Sequence, residues 1–267
     1  MKRILFLVIA VMLLVACGDN MNDKAGELLN RAREAAEMGR YNEARVLIDS
    51  IRTVYPEAIE ARRSALGFAD SLELTIAKQE LSNADSMFCL EMARLDSMKQ
   101  YFTLEKDPEF QSVGNYVTPE QISAKMHKTA LRAQVNEEGL MVIISIVHGK
   151  RLNHKSIRVT IPTGDSVETP QCFSFLTHNV VGYEEEASYK FGEDGGVVEF
   201  IANETGPMTI TCVGENDSLT FQMSASDKHA VRSCYDLARQ FESVNQLREQ
   251  REKLSLKVRF YEKKLSL

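Results

Sequence analysis

The chain has 267 residues, 44% hydrophobic and 26% charged, with 14 Gly and 6 Pro. That composition excludes collagen-like, mucin-like and wholly disordered classes and leaves room for one large domain or two modest ones. The 32 Lys and Arg against 38 Asp and Glu leave a net charge of −6, which argues against a nucleic-acid partner, because neutralising phosphates needs a basic surface.

Lys2 and Arg3 precede a run of apolar residues, Ile4 to Ala16, followed by Cys17. A charged start, a short apolar core and a small residue before the break predict a secretory signal peptide over 1–16. The run is too short to span ~30 Å of hydrocarbon comfortably. Leu14-Val15-Ala16-Cys17 resembles the lipobox of bacterial lipoproteins. The resemblance implies cleavage before Cys17, diacylation (commonly palmitate) of its sulfur and acylation of the new amine, so Cys17 is the expected lipidation site. Loss of Lys2 and Arg3 takes the net charge from −6 to −8. In proteobacterial lipoproteins Asp at the place after the Cys favours inner-membrane retention, and Gly18 there resembles an outer-membrane address. Gly18-Asp19-Asn20 and Asp23 resemble the acidic export tag of Bacteroidota surface lipoproteins. The implied address is the outer membrane, facing the periplasm or the cell surface.

Residues 17–56 are expected to hold the anchor, a short tether and a helical hairpin. Leu28, Leu29, Ala32, Ala35 and Ala36 follow helical spacing, Gly39 to Asn42 breaks it, and Ala44, Leu47, Ile48 and Ile51 resume it before Tyr55-Pro56. The stretch Ala36 to Ala44, with Pro56 beyond, resembles a tetratricopeptide repeat. The resemblance implies that Gly39 permits the turn, that Tyr41 and Ala44 pack between the helices, and that Pro56 starts the next helix. A single copy implies a hairpin docked on its neighbours rather than a peptide-binding solenoid.

Residues 57–107 and 226–267 read as two long helices forming an antiparallel stalk. In the first, Leu74, Leu81, Phe88, Leu95 and Phe102 recur every seven residues, with Ala77, Ala84, Glu91 and Met98 three positions after the first four, and Asp107-Pro108 ends the pattern. In the second, Ser226 or Asp227 is the expected cap, and Val244, Leu247, Arg251, Leu254, Val258, Tyr261 and Leu265 form the stripe. Matching the single charged positions predicts Glu91 opposite Arg251, with Leu95 meeting Leu247 and Leu81 meeting Tyr261.

Between them, 108–225 reads as an inserted antiparallel β head, a sandwich or small barrel of seven or eight strands, so the fold class is α+β. Thr118-Pro119-Glu120-Gln121 is a capping-box pattern and predicts a short helix to about His127. Strands are expected around Leu131–Val135, Leu140–Val147, Ile157–Ile161, Phe173–Phe175, Val198–Ala202, Met208–Val213 and Leu219–Met223. Glu193 to Gly196 and Gly214 to Asp217 read as turns between strands.

No Gly-x-Ser-x-Gly elbow and no phosphate-cradling loop occurs, so no catalytic residue is predicted. His127, His148, His154, His178 and His229 lack zinc spacing and read as loop or surface residues. Glu184-Glu185-Glu186 reads as a solvated acidic loop rather than a calcium site. No cofactor or metal is expected. Strand parity places Cys172 and Cys212 unsuitably for a bridge, and with Cys89 and Cys234 they read as free thiols. The function expected is a non-catalytic, lipid-anchored envelope protein that presents an interaction domain to an envelope protein partner. The alternative is a ligand-binding lipoprotein with its site on the β head around Tyr183, Tyr189 and the acidic segment.

Overall fold

The computed structural model describes residues 21–122, 128–179 and 182–266. The expected signal peptide, Cys17 and His127 lie outside them. The described residues form a mixed α+β structure with five α-helices and two antiparallel sheets. The chain divides into two compact units, one from 21–87 and 248–266, the other from 88–247. This division cuts through both long helices, each of which the boundaries read from the sequence kept whole as one arm of a single stalk.

The first unit is helical. Helix α1 covers 21–37, α2 runs Tyr41–Val54, and α3 starts at Ile59 and extends to Lys99. Gly39 turns α1 into α2 at φ +73, a conformation that costs glycine little. Tyr41 packs on Ala35, Ala44, Leu72 and Ile76, as the repeat resemblance implies. A second cluster joins Ala25 and Leu29 of α1, Ile51 of α2, and Ala58, Ala61 and Ala65. Small side chains at so many contacts let helix backbones approach closely. The C-terminal helix α5, Ala225–Leu265, lies beside α3 and carries mostly cations opposite acids. Lys264 meets Asp70 at 2.7 Å, Lys257 meets Glu73 at 3.0 Å and Arg251 meets Asp85 at 2.5 Å, with Lys78–Glu262 as the reverse pair. Arg45 of α2 also reaches Glu73, at 2.6 Å.

The second unit holds the strands. They are β1 Thr103–Glu105, β2 Asn115–Val117, β3 Ala130–Asn136, β4 Met141–His148, β5 Ser156–Thr160, β6 Ser166–Glu168, β7 Phe175–Asn179, β8 Gly182–Lys190, β9 Thr209–Val213 and β10 Ser218–Gln222. Six form one sheet in the order β1-β2-β3-β4-β8-β7, and four form another in the order β10-β9-β5-β6. Both sheets send side chains into one core. Leu131, Ile143 and Ala187 come from the larger sheet, Ile157, Ile210 and Cys212 from the smaller, and Leu95, Val231, Leu237 and Val244 from the long helices. Strand β4 is covered on both faces, since Ile144 and Ile146 cluster with Ala130 on the side opposite Ile143 and Val147.

Several expectations are corrected. Helix α3 ends at Lys99, not at Asp107-Pro108. The amides of Tyr101 and Phe102 close tight bonds on Met98 and Lys99, and the chain then turns extended into β1. The segment Val198–Ala202 is helical, in α4 Val197–Asn203, because the Asp194 carboxylate accepts from the Val198 amide at 2.6 Å after two left-handed glycines. Pro119–Gln121 is a single 3-10 turn without a side-chain cap, so the capping box does not form. Gln121 instead turns inward, donating to the Leu131 carbonyl and to Asp227 and accepting from the Ala133 amide. Ser224, rather than Ser226 or Asp227, caps α5 by accepting from the Asp227 amide.

The predicted helix register is also overturned. Glu91 accepts from Gln240 at 2.6 Å, and Arg251 donates to Asp85, so the pairing is displaced by about one heptad from the expected match. The expectation rested on the cost of burying two charges. Gln240 satisfies the Glu91 carboxylate, and the Arg251 side chain remains about one-third exposed, so that cost never arises.

Candidate functional site

The acidic segment singled out in the sequence is not a loop. Residues 184–186 lie within β8, where alternation turns Glu185, Ala187 and Tyr189 toward the core and Glu184 and Glu186 to the other face. Tyr189 is buried, and burial pushes its phenol well above the usual value. Glu184 approaches His148 Nδ1 at 3.7 Å. Glu186 is half-buried, and burial, with Glu184 beside it, holds its carboxyl above the usual range. The proposed ligand site around Tyr183, Tyr189 and the glutamates is therefore not gathered at one surface.

Glu185 sits at the centre of a buried polar network that sequence reading missed. Its carboxylate accepts from the amides of Leu152 at 2.9 Å, Asn153 at 2.7 Å and His154 at 2.6 Å, and from His154 Nδ1. A carboxylate has no proton to give, so in the neutral ring Nδ1 carries the hydrogen and Nε2 accepts from the Ser145 hydroxyl at 2.6 Å. Burial alone would push the Glu185 carboxyl up. The hydrogen bonds from His154, Asn153 and Leu152 outweigh it and hold the group below the usual carboxylate range. His154 is thus a core residue and not the loop or surface histidine expected; His229 is exposed.

Ser145, His154 and Glu185 have the connectivity of an acyl-transfer triad. Their setting is different. Ser145 lies mid-strand in β4, with Leu131 and Ala187 as its cross-strand neighbours, and its hydroxyl also lies 3.4 Å from the Ala187 carbonyl. The three residues are 0%, 0% and 1% exposed, so no substrate carbonyl reaches Oγ. The network fastens the segment 152–154, where Asn153 adopts a left-handed φ of +49, onto the sheet. The sequence signal for it was faint: one Ser inside an apolar strand, a His nine residues on, and a Glu that only the β4–β8 pairing brings close.

The other chemical candidates are quiet. Cys89, Cys172, Cys212 and Cys234 are unbonded. Burial, with Glu185 nearby, pushes the Cys212 thiol up to about 12, and burial raises Cys234 as well, so neither offers a thiolate at neutral pH. Among the described residues no group of three or more His, Cys, Asp or Glu is placed to hold a metal. Among them, too, no helix is long and apolar enough to cross a membrane.

What the second unit does expose is a sheet edge. Among the described strands β7 is one of the two outermost in the larger sheet, at the end opposite β1, and pairs with β8 alone. Phe173 and Phe175 beside and within it are 88% and 74% exposed, and Leu176 and Tyr183 are exposed as well. Phe175–Asn179 contains no Lys, Pro or acid, the residues that ordinarily blunt an open edge. No family model, curated protein or solved structure matches this chain.

Proposed function

We propose that this protein is a non-catalytic, lipid-anchored cell-envelope protein whose strand-rich unit is an interaction head borne on its long helices, and that its protein partner adds an extended strand at β7. The observation that carries the reading is the unblunted edge with Phe173 and Phe175 in water. Backbone groups of an open edge pair with an incoming strand, and aromatic side chains beside it supply apolar area and specificity. The lipobox at Cys17 supports the anchor and the envelope address. The burial of Ser145 supports a structural role for the Ser145–His154–Glu185 arrangement.

Photo-crosslinking in intact envelopes tests the head. A photoreactive residue at Phe175 is expected to yield a discrete protein adduct that the same probe at Leu256 does not. Adducts at neither position, or the same adducts at both, would overturn the reading. Cys17→Ala tests the anchor: the variant is expected to leave the membrane fraction or to accumulate as precursor. Unchanged processing together with unchanged membrane association would refute it.

A further inference from the structure

The first unit carries a groove that its own packing does not explain. A cavity of about 550 Å³ lies between α2 and the start of α3. Its floor is apolar, from Ile48, Ile51 and Ala65, and its rim holds Ile59 and Leu66, which are 66% and 65% exposed. On α3, Ile59, Arg62, Arg63 and Leu66 follow one helical stripe, so apolar and guanidinium groups share a face. Arg52 joins them from α2. The cations are weakly engaged. Among the described residues Arg52 pairs with Asp49, which also lines the cavity, at 3.4 Å and in the open, and Arg62 donates to the neutral Pro56 carbonyl.

The place of the groove in the chain points to its occupant. Cys17 is four residues from residue 21, where the described part of α1 begins, so a lipid on Cys17 holds that point within ~14 Å of its attachment. The first turns of α1 pack directly on the groove's neighbourhood, with Ala25 and Leu29 in one cluster with Ile51, Ala58, Ala61 and Ala65. The groove therefore lies at the anchored end of the unit.

We infer that this groove binds an anionic phospholipid of the membrane, the guanidinium groups of Arg52, Arg62 and Arg63 holding the phosphate and Ile48, Ile51, Ile59 and Leu66 receiving acyl chain. Arginine suits phosphate because its planar fork donates two parallel hydrogen bonds. Acyl chains on Cys17 hold the protein at the membrane, and a seated membrane lipid adds a second, orienting contact. The inference rests on the Cys17 anchor proposed above.

The chain has no Trp, so Ile59→Trp introduces a single fluorescent reporter at the groove. The lipidated full-length variant is placed in vesicles of phosphatidylethanolamine and phosphatidylglycerol, the latter brominated on its acyl chains. Emission of the groove reporter is expected to fall at least twofold relative to unbrominated vesicles, and adding Arg62→Glu with Arg63→Glu is expected to abolish the quenching. The control Leu256→Trp, beside the Lys257 that pairs with Glu73 about 20 Å further along α3, is expected to keep its emission. Absence of quenching at the groove, quenching that survives the double charge reversal, or equal quenching at both sites would overturn the inference. Flotation of the same sample separates the two claims. Protein that floats without quenching refutes the groove alone, and protein that does not float refutes the anchor and the groove with it.

Discussion

The two units bury their residues by opposite means. The helical unit closes on alanines, Ala25, Ala35, Ala44, Ala58, Ala61 and Ala65, with a few larger side chains between them. The strand-rich unit closes on Leu131, Ile143, Ile157, Ile201, Ile210 and Leu237, and buries a complete Ser-His-Glu network among them. An alanine contact has little side chain to lose but no room to gain. A large apolar core tolerates neither a cavity nor an unpaired polar group. The first unit should therefore fail by overpacking and the second by loss of partners.

The largest effect is expected at Glu185. Replacement by Ala leaves three amides and His154 Nδ1 without an acceptor inside the core, and should cost ~3–5 kcal/mol in urea unfolding followed by near-UV circular dichroism. The pH dependence has a fixed sign. A carboxyl held lower in the folded state than in the unfolded one contributes stability that is complete above the unfolded value near 4.5 and is lost as pH falls through the folded value. Glu185→Gln should flatten this part of the acid-unfolding profile, and an unchanged profile would contradict the role given to the group.

Gly139 comes next. It turns β3 into β4 at φ +92, and a Cβ there would stand 2.5 Å from Phe241 Cβ on α5. Gly139→Ala should cost ~2–3 kcal/mol, measured in the same way. In the helical unit, Ala44→Leu should cost ~1–3 kcal/mol by overpacking against Ala35, Leu72 and Ile76. A neutral result there would remove the contrast between the units. Smallest is Glu73→Gln, which loosens Arg45 and Lys257 at a partly exposed site. No more than ~1 kcal/mol is expected, fading as salt is added.

The periodic parts of the fold were legible in the sequence. Helical spacing and the turn at Gly39 located the hairpin, alternation located β3 and β5, a near-continuous apolar run located β4, and short apolar segments beside a turn sequence located β9 and β10. What failed were short segments whose state depends on partners outside the segment. Val198–Ala202 is rich in β-branched and apolar residues, and Asp194 makes it a helix. The three-residue strands β1, β2 and β6 have no period to read. Thr118 and Gln121 had the spacing of a cap, but Gln121 finds better partners across the core in Leu131, Ala133 and Asp227. The helix register was misjudged because a two-stranded seam lets charges find water or a nearer partner. Of the candidate sites, Phe173 and Phe175 were legible as strand residues but not as an exposed edge, the strand itself running Phe175–Asn179, and the Ser145–His154–Glu185 network needed the strand order.

The central contrast within the strand-rich unit is between a sealed network and an open edge. Amide hydrogen exchange on the full chain tests it most directly. The amides of Leu152, Asn153 and His154 all donate to a buried carboxylate, and should exchange at least ~1,000-fold more slowly than an unprotected chain, close to the global opening rate of that unit. Exchange of these amides as fast as that of the exposed loop around Phe110 would contradict the account, because it would show the Ser145–His154–Glu185 network to be open to water.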